Sequence, residues 1–362
     1  MTDGQTLLLV FALLYAVESV LWVQRGAWVF RRRMLPRSWS GRCLEGSFEL
    51  AARHPVLPRL IPPGELLLVA ADPPCYPDED GIWIAEAQAQ AGQHLSWEEI
   101  RPRAVQSQLQ LTNQVRLPCN SERAAIEWAE RLDRITQARD RAAAVEAQWQ
   151  EWANRARVRR VRRRWRRVHA ALAAPLWWLF VTGFGLLPLT VWRLGWEHPS
   201  TWLAATALLG GCLWMTCTWA SIDVRVLRRR PWPAWVERIQ CLLYPPHAMA
   251  VIHSAGKEMT LHLHPLAVAR EFLPQEEARR VTAPIWRRWR YPGKGDSLEP
   301  MHRALRHRLD ALVIALGWDL QELQVSAPEA GTVCQCPRCG TAYQMPRADC
   351  ADCRGVATVP IS

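Results

Sequence analysis

Four cysteines near the C-terminal end of the sequence are the residues best suited to chemistry. Cys336 and Cys339 are separated by two residues, as are Cys350 and Cys353, and ten residues lie between the two pairs. Each C-x2-C pair forms a tight turn that directs two thiolates at one ion, and two such turns complete the tetrahedral shell of a structural zinc site. Because four thiolates leave no open coordination position, we expect this metal to support folding rather than to catalyse a reaction.

The segment around these cysteines resembles the zinc-ribbon family. The resemblance is carried by the sequence CPRCG, which begins at Cys336, and by the second C-x2-C pair, together about twenty residues. It implies a small metal-stabilised domain, here expected at 333–358, with zinc as a structural cofactor. Iron in a rubredoxin-like site of four thiolates is the alternative metal. Cys334 has C-x-C spacing, which suits this kind of turn less well, and we expect it to be a spare thiol.

Other chemical motifs in the sequence are weaker. Ser254 and Lys257 match the S-x-x-K pattern of Ser/Lys hydrolases, but the companion motifs of that class are absent. Four histidines cluster at 247–264 without a carboxylate at ligand spacing, so we expect exposed helical histidines rather than metal ligands. The sequence contains no P-loop, HExxH, GxSxG or dinucleotide fingerprint. The sequence therefore predicts no catalytic residue.

The composition excludes a disordered or collagen-like chain. The protein has 362 residues, 49% of them hydrophobic, and a formal net charge of +11. Only Lys257 and Lys294 among its 45 basic residues are lysines, and its 21 tryptophans outnumber the six phenylalanines and five tyrosines. Heavy use of Arg, Ala, Pro and Trp indicates a GC-rich, bacterial genome. This composition does not describe a free soluble enzyme.

Three apolar stretches are long enough to cross a bilayer, which takes about 20 helical residues. They lie at 6–23, 168–192 and 201–222, and tryptophans stand near their ends, as is typical of membrane interfaces. Ala207 and Gly211, four residues apart in the third stretch, would let a neighbouring helix pack closely. The alternative interpretation is a set of buried helices in a large soluble core.

The distribution of arginine predicts the orientation of these spans. Nine arginines lie at 155–167, directly before the second stretch, whereas the loop at 193–200 carries one Arg and one Glu. Arginines also follow the first and third stretches, so the positive-inside rule predicts the N-terminus outside and the C-terminus in the cytosol. The first stretch lacks the features of a cleaved signal peptide and is expected to be a retained anchor. The predicted location is the bacterial inner membrane.

The eleven cysteines agree with this topology. Nine of them fall in segments that we assign to the cytosol, and the short outer loop has none. Because the cytosol is reducing, we expect thiols or metal ligands rather than disulfides.

A small α+β domain is predicted at 41–118. Strand-like runs occur at 65–70 and 81–86, and the runs at 108–112 and 114–117 are predicted to form a hairpin. A meander of short strands followed by a helix resembles the second half of a pleckstrin-homology-like domain, over about 65–135. The alternative is an unclassified α+β domain.

One long helix is predicted at 120–167, because no Pro or Gly occurs between Cys119 and Ala174. An apolar residue recurs every seven positions from Trp128 to Ala156, which favours either a coiled coil or an amphipathic helix on its own domain. A coiled coil would allow a homo-oligomer through 128–156. The arginines at 155–167 would attract anionic lipids, and nucleic acid is the less favoured partner because topology already accounts for the basic run.

The last predicted cytosolic region, at 231–326, is helical. Helices are expected at 234–244, 264–273, 276–290 and 298–325, and the last carries an apolar stripe from Met301 to Leu323.

The predicted fold class is a mainly α membrane protein with three transmembrane helices, a small cytosolic α+β domain, a long helix, a helical domain and a zinc ribbon. The expected function is a non-enzymatic scaffold, assembly or regulatory protein that presents the ribbon to a protein partner. The alternatives are a membrane-bound enzyme with an unrecognised site, or an accessory subunit of a transporter.

Overall fold

The computed structural model is mostly helical and divides into two compact units. One unit comprises Met1–Ala71 and Arg159–Thr260, and the other comprises Asp72–Val158 and Leu261–Ser362. The structure describes residues 2–22, 27–32, 48–50, 66–71, 73–84, 92–119, 122–222, 239, 256, 259–325 and 330–361.

The described helices are α1 (Asp3–Trp22), α2 (Glu122–Gln137), α3 (Arg141–Trp152), α4 (Arg155–Phe180), α5 (Leu187–Leu194), α6 (Pro199–Ile222), α7 (Pro265–Phe272), α8 (Gln275–Arg290), α9 (Glu299–Ala304) and α10 (Arg306–Ala315). A π-helical turn (Val181–Leu186) joins α4 to α5, and a 3-10 turn (Gln321–Leu323) follows α10. The described strands are β1 (Ala27–Arg32), β2 (Phe48–Leu50), β3 (Leu66–Ala71), β4 (Cys75–Pro77), β5 (Gly81–Ile84), β6 (His94–Ser96), β7 (Arg103–Val105), β8 (Gln108–Gln110), β9 (Arg116–Pro118), β10 (Cys334–Gln335), β11 (Ala342–Tyr343) and β12 (Val359–Pro360).

Two helical stretches of the described chain are long and apolar enough to cross a membrane. They are Arg141–Leu194, whose apolar part lies in α4 and α5, and Pro199–Ile222. Only 33% and 28% of their most apolar windows are buried, whereas a core helix of a soluble protein is mostly buried. The third predicted span coincides with α1, but its described apolar part, Asp3–Leu14, is shorter. The structure thus supports two candidate spans and does not confirm three.

The small-residue pair in α6 receives a side chain of α4. The Trp178 indole Nε1 donates a hydrogen bond to the Ala207 carbonyl oxygen at 2.9 Å. A Cβ at Gly211 would lie 2.6 Å from the Trp178 ring, so only glycine leaves room for it. The neighbour predicted from the Ala-x-x-x-Gly spacing is therefore Trp178 of the same chain.

Helix α1 packs against α5 in the same unit. Leu187 and Val191 of α5 form an apolar cluster with Ala204 of α6, and Phe11 of α1 packs against that cluster. Gly4 allows a close approach here, because a Cβ at this position would lie 2.5 Å from Cβ of Trp192. These contacts join three helices around one apolar centre.

The first unit also contains an antiparallel sheet with the order β2-β1-β3. Phe30 is paired with Leu68 of β3 and with Phe48 of β2. The region 41–118, predicted as one domain, contributes β2 and β3 to the first unit and the later strands to the second.

The second unit contains two antiparallel sheets of this region, β4-β5-β6 and β7-β8-β9. The predicted hairpin is present, with Leu109 of β8 opposite Leu117 of β9. The Thr112 hydroxyl oxygen accepts hydrogen bonds from the backbone N–H groups of Gln114 and Val115 at 3.2 and 3.0 Å, which fixes the turn. Helix α2 follows at Glu122, close to the predicted start.

The single helix predicted at 120–167 is interrupted twice. The Asp140 carboxylate accepts a hydrogen bond from the Ala143 N–H at 2.9 Å and thereby begins α3. The Asn154 side-chain oxygen accepts one from the Arg157 N–H at 3.1 Å and begins α4. Short Asp and Asn side chains compete for backbone N–H groups and so end one helix and start the next. The absence of Pro and Gly was therefore not sufficient to predict a continuous helix.

The seven-residue apolar seam does not run along one continuous face. Trp128 and Trp149 are buried within the second unit, but Ala142 and Ala156 of the same series are exposed. The ring of Trp152 lies 4.9 Å from the ring of Trp149 and 6.1 Å from that of Trp128. These seam residues thus contribute to an aromatic core of their own chain, and the structure does not show a coiled coil.

The C-terminal helices α7 to α10 complete the second unit. Helices α7 and α8 match the predicted segments, whereas the helix predicted at 298–325 is divided at Leu305 and ends at Ala315. The predicted apolar stripe is buried from Met301 to Leu316. The predicted helix at 234–244 lies outside the described residues, apart from Ile239.

A buried arginine connects α10 to distant parts of the second unit. The Arg308 guanidinium contacts the carboxylates of Asp78 at 3.3 Å, Glu79 at 3.1 Å and Glu146 at 3.2 Å. Its side chain is only 5% exposed. Because a buried charge is stable only when it is paired, this contact links α10 to the β4–β5 turn and to α3.

Candidate metal centre

The C-terminal cysteines lie in a small three-stranded antiparallel sheet with the order β11-β10-β12. Cys334 in the central strand β10 is opposite Tyr343 on one side and Pro360 on the other. A β-bridge between Asp349 and Ala357 joins the chain on either side of the second C-x2-C turn. The sheet holds the two C-x2-C turns at fixed positions.

The first C-x2-C turn is closed by backbone hydrogen bonds. The N–H of Gly340 donates to the Cys336 carbonyl at 3.0 Å, and the N–H of Cys336 donates to the Thr341 carbonyl at 2.9 Å. Gly340 has φ +87°, a left-handed conformation that glycine adopts without steric cost. Glycine directly after Cys339 therefore lets the chain reverse while both thiols stay on the inside of the turn.

The second C-x2-C turn has a related arrangement. The N–H of Cys350 donates to the Val356 carbonyl at 2.9 Å, and the N–H of Val356 donates to the Cys353 carbonyl at 3.1 Å. Gly355, with φ +69°, takes the left-handed position here. The two turns present their cysteines to each other.

The four predicted ligands converge. The Sγ atoms of Cys336, Cys339, Cys350 and Cys353 all lie within 4.8 Å of one another. A tetrahedral site with Zn–S bonds of ~2.3 Å requires S···S separations of about 3.8 Å, so the cluster fits one ion with small adjustments. The Cys339 and Cys350 sulfurs are 3.5 Å apart, which is far longer than a disulfide bond. The site can therefore hold one metal ion through four sulfurs.

Local hydrogen bonds favour thiolate at one of the four ligands. Burial opposes ionisation of Cys350, but its sulfur accepts hydrogen bonds from the Tyr343 hydroxyl at 3.3 Å and from the Cys353 N–H at 3.3 Å. The net result lowers the pKa of the Cys350 thiol to about 7. Burial, together with the neighbouring sulfurs, raises the pKa of Cys353 to about 12. Because metal ligands must be deprotonated, binding of a divalent ion at neutral pH would release protons from this set.

One cation lies in the electrostatic field of the cluster. Burial lowers the pKa of Arg287 in α8, and the charges of Cys339 and Cys336 oppose that shift. A divalent ion with four thiolates carries a net charge of about −2. Arg287 would therefore partly compensate this charge.

The cysteine segment packs on the loop that follows α8. The Lys294 N–H donates to the Gly355 carbonyl at 3.0 Å. Tyr291 and Tyr343 pack against the small core formed by Cys336, Cys350 and Val356. Sequence reasoning missed both tyrosines. Only Tyr343 had a detectable signal, because it is the one aromatic residue between the two cysteine pairs.

The spare cysteine lies outside the cluster. The buried Cys334 thiol contacts the carbonyl oxygen of Met345 at 3.4 Å and is not among the four converging sulfurs. The nine described cysteines, which exclude Cys43 and Cys241, form no disulfide. This agrees with the expectation of thiols or metal ligands.

The weaker motifs receive little support from the described residues. Ser254 and Lys257 lie outside them, as do two of the four clustered histidines. His262 contacts the Glu127 carboxylate at 2.6 Å, a partner too distant in sequence to predict. His264 is buried, and its Nδ1 accepts a hydrogen bond from the Leu266 N–H at the start of α7. The expectation of exposed helical histidines was wrong for His264, which caps a helix.

Comparison with known proteins identifies no relative: no protein family, no curated protein and no solved structure matches the chain. The resemblance to zinc ribbons therefore rests on the cysteine spacing and on the convergence of the four sulfurs. The pleckstrin-homology-like resemblance stays a prediction.

Proposed function

We propose that this protein is a membrane-anchored scaffold or regulatory factor, without catalytic activity of its own, that presents a zinc ribbon to a protein partner. The observation that carries the proposal is the convergence of four cysteine sulfurs, because an ion bound by all four would have no coordination position left for a substrate. Such a site stabilises a binding surface, whereas a catalytic zinc site keeps one coordination position open.

Zinc is the metal that best suits these donors. Four thiolates in tetrahedral arrangement favour zinc, with iron as the rival. Elemental analysis of the purified full chain tests this assignment. We expect about one zinc per chain, and less than about half a zinc without iron in its place would overturn the metal assignment.

The membrane part of the proposal is a bacterial inner-membrane protein with three spans, the N-terminus outside and the C-terminus in the cytosol. The two long apolar helices, their low burial and the packing of α1 on α5 support it. The arginine asymmetry on either side of the apolar stretches supports the orientation.

Reporter fusions test that orientation directly. A reporter active only in the cytosol should be active when fused after Ser362 and silent when inserted within 196–200. The reverse pair of results would place the cysteine cluster outside the reducing compartment and would contradict the topology.

The exposed face of the ribbon supports contact with a protein rather than with nucleic acid. Met345 is 77% exposed, Val359 is 50% exposed and Val333 is 39% exposed, and all three lie in the strands of the small sheet or within two residues of them. Arg347 and Asp349 on this segment carry opposite charges. Exposed apolar side chains accompanied by charges of both signs are typical of a protein interface, whereas nucleic-acid binding needs a basic surface.

Affinity purification from a detergent extract tests the scaffold proposal. We expect the wild-type chain to retain a stoichiometric partner, and the double variant Met345→Gln and Val359→Thr to lose it while keeping its zinc. Ile314→Gln is a matched control, because Ile314 is 55% exposed on α10. Absence of any stoichiometric partner of the wild-type chain would overturn the scaffold and favour the enzyme.

A further inference from the structure

The charged surface of α4 carries arginines whose exposure follows a helical pattern. Arg160, Arg163, Arg164 and Arg167 are all exposed and are spaced i, i+3, i+4 and i+7, so they form one stripe on the helix. Within the described chain, none of these four side chains takes part in a hydrogen bond or ion pair. Their positive charges are therefore uncompensated by the residues that the structure describes.

A second stripe on the same helix is apolar and buried. It consists of Val158, Val161, Trp165, Val168 and Leu172, each at most 6% exposed. At 3.6 residues per turn this stripe lies roughly 130° from the arginine stripe around the helix axis. The rotation of the helix is thus set by its buried side, and the arginines are directed outward from it.

The arginine stripe continues without interruption into a candidate membrane span. Helix α4 runs from Arg155 to Phe180 as one element, and the apolar residues begin at Val168. The stripe therefore ends where the apolar stretch begins. From that point it reaches back about 10 Å toward the N-terminal end of α4, at ~1.5 Å per residue. The headgroup layer on one side of a bilayer is roughly 5–8 Å deep, so arginines at these positions reach its phosphate groups.

We propose that the arginine stripe binds anionic phospholipid headgroups. The proposal rests on the membrane anchoring proposed above and deepens it by naming a lipid class and four residues. The guanidinium group forms bidentate hydrogen bonds with phosphate oxygens. Attraction by net charge alone would not need this geometry, so lysine would serve equally well. A stripe that served only as a topology signal would need positive charge near the span but would have no preference among lipids.

Native mass spectrometry of the purified full chain tests this proposal. The chain is held in detergent micelles that contain equal amounts of phosphatidylglycerol and phosphatidylcholine. We expect the wild type to retain phosphatidylglycerol by about fivefold or more over phosphatidylcholine, and this preference to fall as salt is added.

Three variants make the result specific. Replacing Arg160, Arg163, Arg164 and Arg167 by Gln should bring the two lipids to near-equal retention. The matched control removes the same charge from four exposed arginines of the second unit that have no ion pair in the described chain: Arg103, Arg116, Arg139 and Arg141. This control should keep the wild-type preference. The four-Lys variant of the stripe retains the positive charge near the span, and should keep membrane insertion but retain less phosphatidylglycerol than the wild type.

Several outcomes would overturn the proposal. The first is equal retention of both lipids by the wild type. The second is an equal loss of the phosphatidylglycerol preference in the stripe variant and in the control variant. The third is a stripe variant that keeps its lipid preference but loses binding to duplex DNA or RNA. A chain absent from the membrane fraction would instead contradict the membrane anchoring itself, so the two failures are distinguishable.

Discussion

The apolar helices of the first unit expose more of their large apolar side chains than the helices of the second unit do. On the first, Leu13, Leu203 and Leu209 are 62%, 72% and 64% exposed. In the second, Leu266, Trp152 and Leu309 are at most 1% exposed. Apolar surface costs roughly 25 cal/mol per Å² when left in water, and soluble proteins rarely expose patches of more than a few hundred Å². The exposed apolar side chains of the first unit therefore favour a membrane environment for its helices.

Hydroxyls of the two units are satisfied in the same way, since Thr282 of the second unit donates to the Ala278 carbonyl of its own helix at 2.8 Å. Hydroxyls of the first unit donate to carbonyls of their own helix, as Thr182 does to Trp178 at 2.7 Å and Thr206 to Trp202 at 2.8 Å. In the second unit, Arg308 contacts three carboxylates from distant parts of the chain. A hydroxyl can be satisfied by the backbone of its own helix, whereas a buried guanidinium needs carboxylates that the fold brings from other parts of the chain.

Metal removal should produce the largest difference between the two units. We expect a chelator, or Cys350→Ser, to abolish the fold of 334–356, because structural zinc contributes on the order of 10 kcal/mol to segments with so little core. Hydrogen exchange resolved along the chain should show loss of protection there and none in α1 or α6.

Cys334→Ser is the control for this prediction, since its sulfur lies outside the cluster. It should leave both zinc content and protection near wild type. Loss of protection in α6 on chelation would contradict the separation of the two units.

A charge on the exposed apolar face of α6 tests which solvent surrounds it. Leu209→Arg should reduce insertion of this helix by about 3–4 kcal/mol if the residue faces hydrocarbon. The fraction of inserted chains, scored by a reporter after α6, measures this effect. Ile126→Arg is the control because Ile126 is 41% exposed on α2 of the second unit, where water should accept the charge. Unchanged insertion of the Leu209→Arg chain would contradict the membrane assignment.

Removal of the buried arginine should destabilise only the second unit. Arg308→Ala leaves three carboxylates without their cation and should cost about 3 kcal/mol, at the lower end for a buried pair because Glu79 and Glu146 are more than half exposed. Urea unfolding of the second unit, followed by hydrogen exchange, measures this loss.

Arg303→Ala supplies the comparison for this variant. Arg303 is 75% exposed and pairs only locally with Glu299, so its loss should cost less than about 0.5 kcal/mol. Equal effects of the two substitutions would show that the three-carboxylate contact does not stabilise the fold.

Acid should weaken the second unit through His264. Burial lowers the pKa of His264 from 6.5 to about 3, so between these values the unfolded chain binds a proton that the folded chain does not. Stability is therefore lost as pH falls below about 6.5, by about 1.4 kcal/mol per pH unit, which amounts to about 2 kcal/mol at pH 5. His264→Asn keeps a helix-capping side chain without this titration and should show a shallower pH dependence of unfolding. Identical slopes for the two proteins would contradict a neutral, buried histidine.

The cysteine cluster and the apolar helices were predictable from the sequence because both depend on local spacing. Two residues between cysteines define a turn that brings two sulfurs together, and about 20 apolar residues define a helix of membrane length. The hairpin at Thr112 and the apolar stripe from Met301 to Leu316 are local patterns of the same kind.

Only the tertiary structure decided how these elements are divided and joined. Asp140 and Asn154 end helices that periodicity would continue, since their side chains compete for N–H groups where the fold has to turn. Arg308 meets carboxylates up to 230 residues away along the chain, and His264 is buried against Tyr76 from another element. Composition and spacing report what a segment can form by itself, whereas burial of a charge or a ring depends on which distant segment supplies its partner.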